Sequence, residues 1–240
     1  MKARFALAAL MLAAILPASG QTADEWIARA RARLGSESAL QGVTSIRFTG
    51  TIEIDGANTA AIDIVFQKPI QQRITVSRPE LVEVIGLDDY DGWSKRFNPK
   101  NPTQWQLTLL DAPQIKRLRA QAWDNLNFLR GIEKLRGSVK LGGDATVDGV
   151  ACVKLVFTYY DSMVLTRYFD KATARLVKTE TEAGVEIREE GEVISSGVRF
   201  PHKVSNREKS GKSVTMTFDK IILNERQPAA EFAVPAMPAN

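Results

Sequence analysis

One cysteine and one histidine in 240 residues set the first limits on this sequence. A single cysteine, Cys152, excludes an internal disulfide framework and any zinc or iron–sulfur centre built from several thiolates. A single histidine, His202, excludes a multi-histidine metal centre and leaves any Ser–His–Asp arrangement dependent on one ring. Charge of one sign is scarce as well, with 32 Lys and Arg against 28 Asp and Glu. No internal repeat and no linker breaks the chain. What remains, 44% hydrophobic and 25% charged residues, is the make-up of a soluble globule with core enough to need no staples.

The first twenty residues read as a secretory leader. Lys2 and Arg4 precede the apolar run Phe5 to Leu16, Pro17 breaks it, and Ala18-Ser19-Gly20 places small residues around a cleavage point near Gly20. A cut at Ala23 is the weaker alternative. The run is short for a membrane anchor, and no cysteine follows it for lipidation. Cleavage removes two basic residues and no acidic one, leaving 30 against 28, a net charge of +2. That is a small electrostatic footprint for nucleic acid, and export argues against such a partner too. Residues 21–240 are expected to form one exported, periplasmic domain.

Periodicity then divides the mature chain. Trp26, Ile27, Ala30 and Leu34 recur at helical spacing, with Arg29, Arg31 and Arg33 mostly on the other side, Thr22 or Asp24 as cap and Gly35 as stop. From Ile46 the period becomes two: Ile46, Phe48, Ile52 and Ile54, then Ile62, Ile64 and Phe66 across an Asp55-Gly56 turn. A second helix starts at Asp111 and Pro113 and carries Ile115, Leu118, Ala122, Leu126 and Leu129 on one face, with Trp123 beside it, Lys116, Arg117 and Arg119 outside, and Gly131 and Gly137 bracketing its end. From Ser138 onward strands alternate with short turns, over Val150–Thr158, Met163–Phe169, Leu176–Glu182, Val185–Val193, Val198–Asn206 and Val214–Leu223. Such short connections make neighbours antiparallel.

The predicted fold is mainly β with α: a strongly curved antiparallel sheet of about ten strands, covered by a few helices. A hollow stoppered by so few helices is a natural place for an apolar cavity. Its candidate lining is Phe48, Ile64, Phe66, Ile74, Val84, Trp93, Leu118, Trp123, Leu155 and Phe157. Plain core packing is the competing reading of each. Asp88, Asp89 and Asp91 lack calcium-loop spacing, and Asp91-Gly92 is turn chemistry. Arg188, Glu189, Glu190 and Glu192 read as a charged edge strand that resists edge-to-edge pairing. His202 reads as a surface or structural residue, and Cys152 as a half-buried thiol. No nucleophile–base pair, metal set or cofactor motif can be named, so no catalytic residue, metal or cofactor is expected.

Gln67-Lys68-Pro69, Asp91-Gly92-Trp93, Asn98-Pro99, Tyr168-Phe169-Asp170, Gly197 to His202 and the closing Glu231-Phe232-Ala233-Val234-Pro235 occur in an order that resembles the LolA-like periplasmic lipoprotein-carrier family over nearly the whole mature chain. The resemblance implies a half-open β-barrel with a helical lid, whose cavity receives acyl chains of lipids or lipoproteins without chemistry. It also implies a lid contact at the residue before the proline. The carriers have arginine there; here it is Lys68, a point donor without the planar fork. Three residues after the proline, where the carriers have an aromatic used in cargo transfer, stands Gln72. The chain thus resembles a divergent member, expected to carry a lipid or lipoprotein acyl chain and to meet a membrane protein of the envelope. A non-carrier interaction module of an envelope complex is the alternative.

Overall fold

The computed structural model describes residues 21–160 and 162–236, so the leader expected over residues 1–20 lies outside the described residues. Thr22 opens the fold by accepting from the Glu25 amide while Glu25 bonds back, a capping box that starts α1 (Ala23–Leu34). Ser36 caps a short α2 (Glu37–Gln41). Asp111 and Gln114 form a second capping box, and Pro113 sits in the first turn of α3 (Ala112–Asn127), as the sequence predicts.

Between and after these helices run fifteen strands: β1 (Ser45–Ile54), β2 (Asn58–Gln67), β3 (Gln71–Ser77), β4 (Val82–Asp88), β5 (Asp91–Asn98), β6 (Asn101–Leu109), β7 (Ser138–Val147), β8 (Val150–Tyr159), β9 (Met163–Asp170), β10 (Leu176–Thr181), β11 (Glu186–Glu190), β12 (Val193–Ser195), β13 (Val198–Phe200), β14 (Lys203–Arg207) and β15 (Ser213–Leu223). Thirteen of them make one sheet in the order β6-β5-β4-β3-β2-β1-β15-β14-β11-β10-β9-β8-β7, and β12 and β13 pair separately. The sheet is therefore two antiparallel meanders joined where the first strand meets the last. It is not closed: β6 and β7 are its free edges, and α3 is the covalent link between them.

Curvature has a visible cause at the join. Asp219 is an extra residue in β15 opposite Thr49-Gly50, a bulge that bends the ribbon. Gly50 is required there, since a Cβ would lie 1.9 Å from the Thr217 carbonyl oxygen. On the concave side the main core gathers Ile46, Phe48, Ile64, Phe66, Leu87, Leu126, Leu155 and Phe157 with Trp26 and Ile27 from α1.

Four sequence expectations need correction. Helix α3 stops at Asn127, short of Leu129, because Phe128 and Leu129 take left-handed backbone. Val185–Val193 and Val198–Asn206 are each broken, because Gly191 takes a left-handed backbone and Pro201 supplies no N–H. The freed hairpin β12–β13 folds across one end of the hollow, where Phe200 stacks edge-on against Phe48 at 5.7 Å. The charged strand β11 is not an edge but lies between β14 and β10. Arg119, expected outside α3, is buried on its inner side.

Candidate functional site

Register decides which predicted residues share the hollow. Across β1, β2, β3 and β4, Ile46 faces Phe66, Gln72 and Leu87, and Phe48 faces Ile64, Ile74 and Ile85. These rows point to the concave side. On β8 the concave positions are Leu155 and Phe157, both fully buried in the same core. Leu118 and Trp123 on α3 are half-buried and pack against it. Eight of the ten predicted lining residues therefore belong to the concave core.

Val84 and Trp93 do not. The rows Asp63–Thr75–Val84–Lys95 and Val65–Arg73–Gly86–Trp93 alternate with the concave ones and lie on the convex side. Trp93 covers Gly86 so closely that a Cβ there would sit 2.2 Å from the indole. Its Nε1 donates to the Phe232 carbonyl at 2.8 Å, and the C-terminal segment, with Phe232 fully buried, lies against it. The Glu231-to-Pro235 segment thus covers the back of the sheet rather than the hollow.

The deep part of the hollow is full. Phe48, Ile64, Phe66, Leu155 and Phe157 are each 5% exposed or less. Away from the β12–β13 plug the filling stops short. Ile52, Ile74, Val76, Leu165, Val204 and Met216 pack against the core from five strands, β1, β3, β9, β14 and β15, yet each is only half-buried. Two open clefts lie elsewhere. One of about 480 Å³ lies between the β7–β8 turn and the convex side of β11 and β14, with Asp148, Arg175, Glu186, Arg188 and Arg207 around it. The other, about 320 Å³, separates α1 from the loop after α3 at Asp24, Ile27, Arg130 and Glu133.

Polar ties hold α3 over the concave side at both walls. From β3, Gln72 Nε2 donates to Gln121 Oε1 at 3.2 Å, while its own Oε1 is buried without a partner. At the β4–β5 turn Asp89 pairs with Arg119, which also donates to the Tyr160 hydroxyl at 2.9 Å. On the far wall Asp124 accepts from Arg167 of β9 and from the Tyr159 hydroxyl of β8 at 2.8 Å. Burial opposes the Arg167 charge, but Asp124 and Tyr159 outweigh it and its pKa is raised. Burial, reinforced by Asp124, holds the Tyr159 phenol protonated. Glu189 of β11, opposite Val204, keeps an exposed side chain, and desolvation by the protein around its carboxyl raises the pKa, against the pull of Arg167 and with the push of Asp124.

The expected lid contact at Lys68 is absent among the described residues. Its amide donates to the Thr44 carbonyl, but its ammonium takes no hydrogen bond or ion pair, and burial lowers its pKa. Arg31 on α1 supplies a tie instead. Only 4% exposed, it donates to the last carbonyls of the α3 segment, Asn127 O at 2.8 Å and Phe128 O at 2.5 Å, and grips Glu37 with Nε and Nη2. Asp88 and Asp89 are likewise engaged, by Gln71 and Arg119. Among the described residues no group of three or more His, Cys, Asp or Glu is placed to hold a metal, and no helix is long and apolar enough to cross a membrane.

Arg31, Arg119, Arg167 and Glu189 escaped the sequence reading. For Arg167 a signal existed: it shares the parity of Leu165 and Phe169, so an apolar face carried one cation.

No family model and no curated protein matches the chain. Solved structures do. A domain named for outer membrane lipoprotein sorting, from Vibrio parahaemolyticus, superimposes with a TM-score of 0.58 at 12% identity, over 86% of this chain and 95% of that one. A LolA superfamily protein from Nitrosomonas europaea gives 0.58 at 14% identity, over 90% and 99%. This chain has the LolA-like fold. A DUF1329 family protein from Desulfovibrio piger shares it, with a TM-score of 0.57 at 11% identity over 88% and 96%. At these identities the likeness concerns architecture, and the LolA-like half-barrel is here a thirteen-stranded open sheet bridged by α3.

Proposed function

We propose that the protein is an exported, non-catalytic carrier that shelters the hydrocarbon of a lipid or a lipoprotein acyl chain on its concave face, beneath α3. The observation that carries this reading is the set of partly buried apolar residues Ile52, Ile74, Val76, Leu165, Val204 and Met216, inward by position and only partly covered by the described residues. Each methylene laid on such a strip gains about 0.8 kcal/mol on leaving water. Entry would lift α3, whose sheet contacts include exchangeable polar ties. The same face would close again on release to a membrane protein of the envelope. Residues 21–240 act as one unit in this reading, after removal of the leader near Gly20.

The test is organic-solvent extraction of the purified protein followed by mass spectrometry, with uptake of a fluorescent fatty acid measured in parallel. A bound lipid or saturable uptake is expected. Repeated absence of both would refute carriage and favour the second reading, an interaction module of an envelope complex. That reading is supported by the tight packing of Phe48, Phe66 and Phe157, which fills the deep hollow with native side chains.

A further inference from the structure

Helix α3 presents Asp124 to a place on the concave face already built to receive a carboxylate. Arg167 lies in the inner row Leu155–Arg167–Thr179–Ile187–Asn206 and is 5% exposed. Its Nη1 donates to Asp124 Oδ1 at 3.1 Å and its Nη2 to Oδ2, the two-pronged geometry by which a guanidinium recognises a carboxylate. The Tyr159 hydroxyl donates to the same Oδ1, and the Phe157 ring lies 4.4 Å from the guanidinium carbon. The row holds another unspent polar group: Asn206 Oδ1 is buried with no hydrogen-bond partner.

The donors belong to the sheet, and the acceptor belongs to the helix that must move. Lifting α3 therefore removes Asp124 while Arg167 and Tyr159 stay with the sheet. Arg167 then loses its only hydrogen-bonded carboxylate among the described residues, with Glu189 left as a charge neighbour, so the open state favours a ligand that restores a two-pronged carboxylate there. Leu165, two residues before Arg167 and on the same face, starts the half-buried apolar strip.

We propose that the hollow takes a long-chain fatty acid, or another single-chain amphiphile ending in a carboxylate, with its head group replacing Asp124 on Arg167 and Tyr159 and its chain running along Leu165, Val204 and Met216. This rests on the carrier reading and names its ligand class. The helix thereby supplies an internal stand-in for the ligand's head group. Glu189 lies near enough to feel both Arg167 and Asp124, so it is a second internal carboxylate with which the incoming head group competes.

Laurate and dodecanol have equal chain length and differ in the charged head, so displacement of a neutral environment-sensitive dye by each separates head-group recognition from carriage. The wild type is expected to prefer laurate by about tenfold or more, as a charge-assisted pair would provide. The neutral, near-isosteric double variant Arg167→Gln/Asp124→Asn should erase that preference while still binding dodecanol. Asp124→Asn alone should raise laurate affinity by a larger factor than dodecanol affinity, since it weakens the internal competitor only; this single variant decides the matter if the double one does not fold. Equal binding of the two ligands by the wild type, or a preference that survives in the double variant, overturns the head-group assignment and leaves carriage standing. Failure of both ligands to bind overturns the head-group assignment and carriage together.

Discussion

Replacing Arg31 with methionine tests whether the C-terminal end of α3 is held by a charge. Methionine keeps an unbranched apolar stem, so little cavity forms. What is lost is the guanidinium's grip on the Asn127 and Phe128 carbonyls and on Glu37. Hydrogen bonds to a charged donor contribute about 1.5–3 kcal/mol net in buried sites. The Glu37 partner is 43% exposed and retains Arg130, so the ion pair adds little beyond that. A loss of about 3 kcal/mol is expected, roughly a hundredfold in the folded-to-unfolded ratio. Urea unfolding followed by tryptophan fluorescence measures it, and amide hydrogen exchange over residues 124–128 reports whether the end of α3 frays first. Arg31→Lys should fall between, because one ammonium cannot serve two carbonyls and a carboxylate on opposite sides. A loss under about 1 kcal/mol for Arg31→Met, with exchange at α3 unchanged, would refute the tie.

Trp93→Ala is expected to cost about 3–5 kcal/mol through the emptied convex site under Phe232, yet to leave fatty-acid uptake per folded molecule intact; reduced uptake at full folding would return Trp93 to the hollow. Glu189 has a folded-state pKa raised above its ordinary 4.5, so its ionisation costs stability as pH rises through and above that value. Glu189→Gln should therefore raise the urea midpoint at pH 7 and not at pH 4, and an equal gain at both would contradict the assignment. Gln72→Leu removes a buried acceptor with no partner and leaves Gln121 to water, so a gain of about 1 kcal/mol in urea unfolding is expected, and a loss of that size would show that the Gln72–Gln121 bond outweighs the orphaned oxygen.

The sequence was legible where one face of a strand was apolar and the other was not. Ile46 and Phe48 alternate with Arg47 and Thr49, and Ile62, Ile64 and Phe66 occupy alternate positions of β2, and each set lies where alternation puts it. Strand β4 carries apolar residues on both parities, Val82 and Val84 against Ile85 and Leu87, so its pattern could not say which faced the hollow. Pairing across β3 and the C-terminal segment on the back of Trp93 settle it. The lid ties were hidden for a related reason. Arg31 and Arg119 occur among other arginines on helices that carry many, and only the carbonyls, Asp89 and Tyr160 brought to them from distant chain positions single them out. Lys68 was legible as a position but not as a contact.

The two ends of the hollow are held by different physics, and this bears on which one opens. At the β12–β13 end the closure is aromatic and aliphatic: Phe200 against Phe48 at 5.7 Å and against Phe128 at 6.2 Å, with Phe66 edge-on to Phe48. Water cannot substitute for such contacts, so parting them costs their full burial. Along α3, apolar packing is supplemented by Gln72 with Gln121, Arg119 with Asp89 and Arg167 with Asp124. The first two bonds can be exchanged for water and the Arg167–Asp124 pair for a ligand's carboxylate, which lowers the cost of opening relative to an all-apolar seam. Because α3 also joins the free edges β6 and β7, its displacement need break no strand pairing. Motion at α3, with α1 and the β12–β13 hairpin as the fixed end, is therefore the course that this distribution of contacts favours.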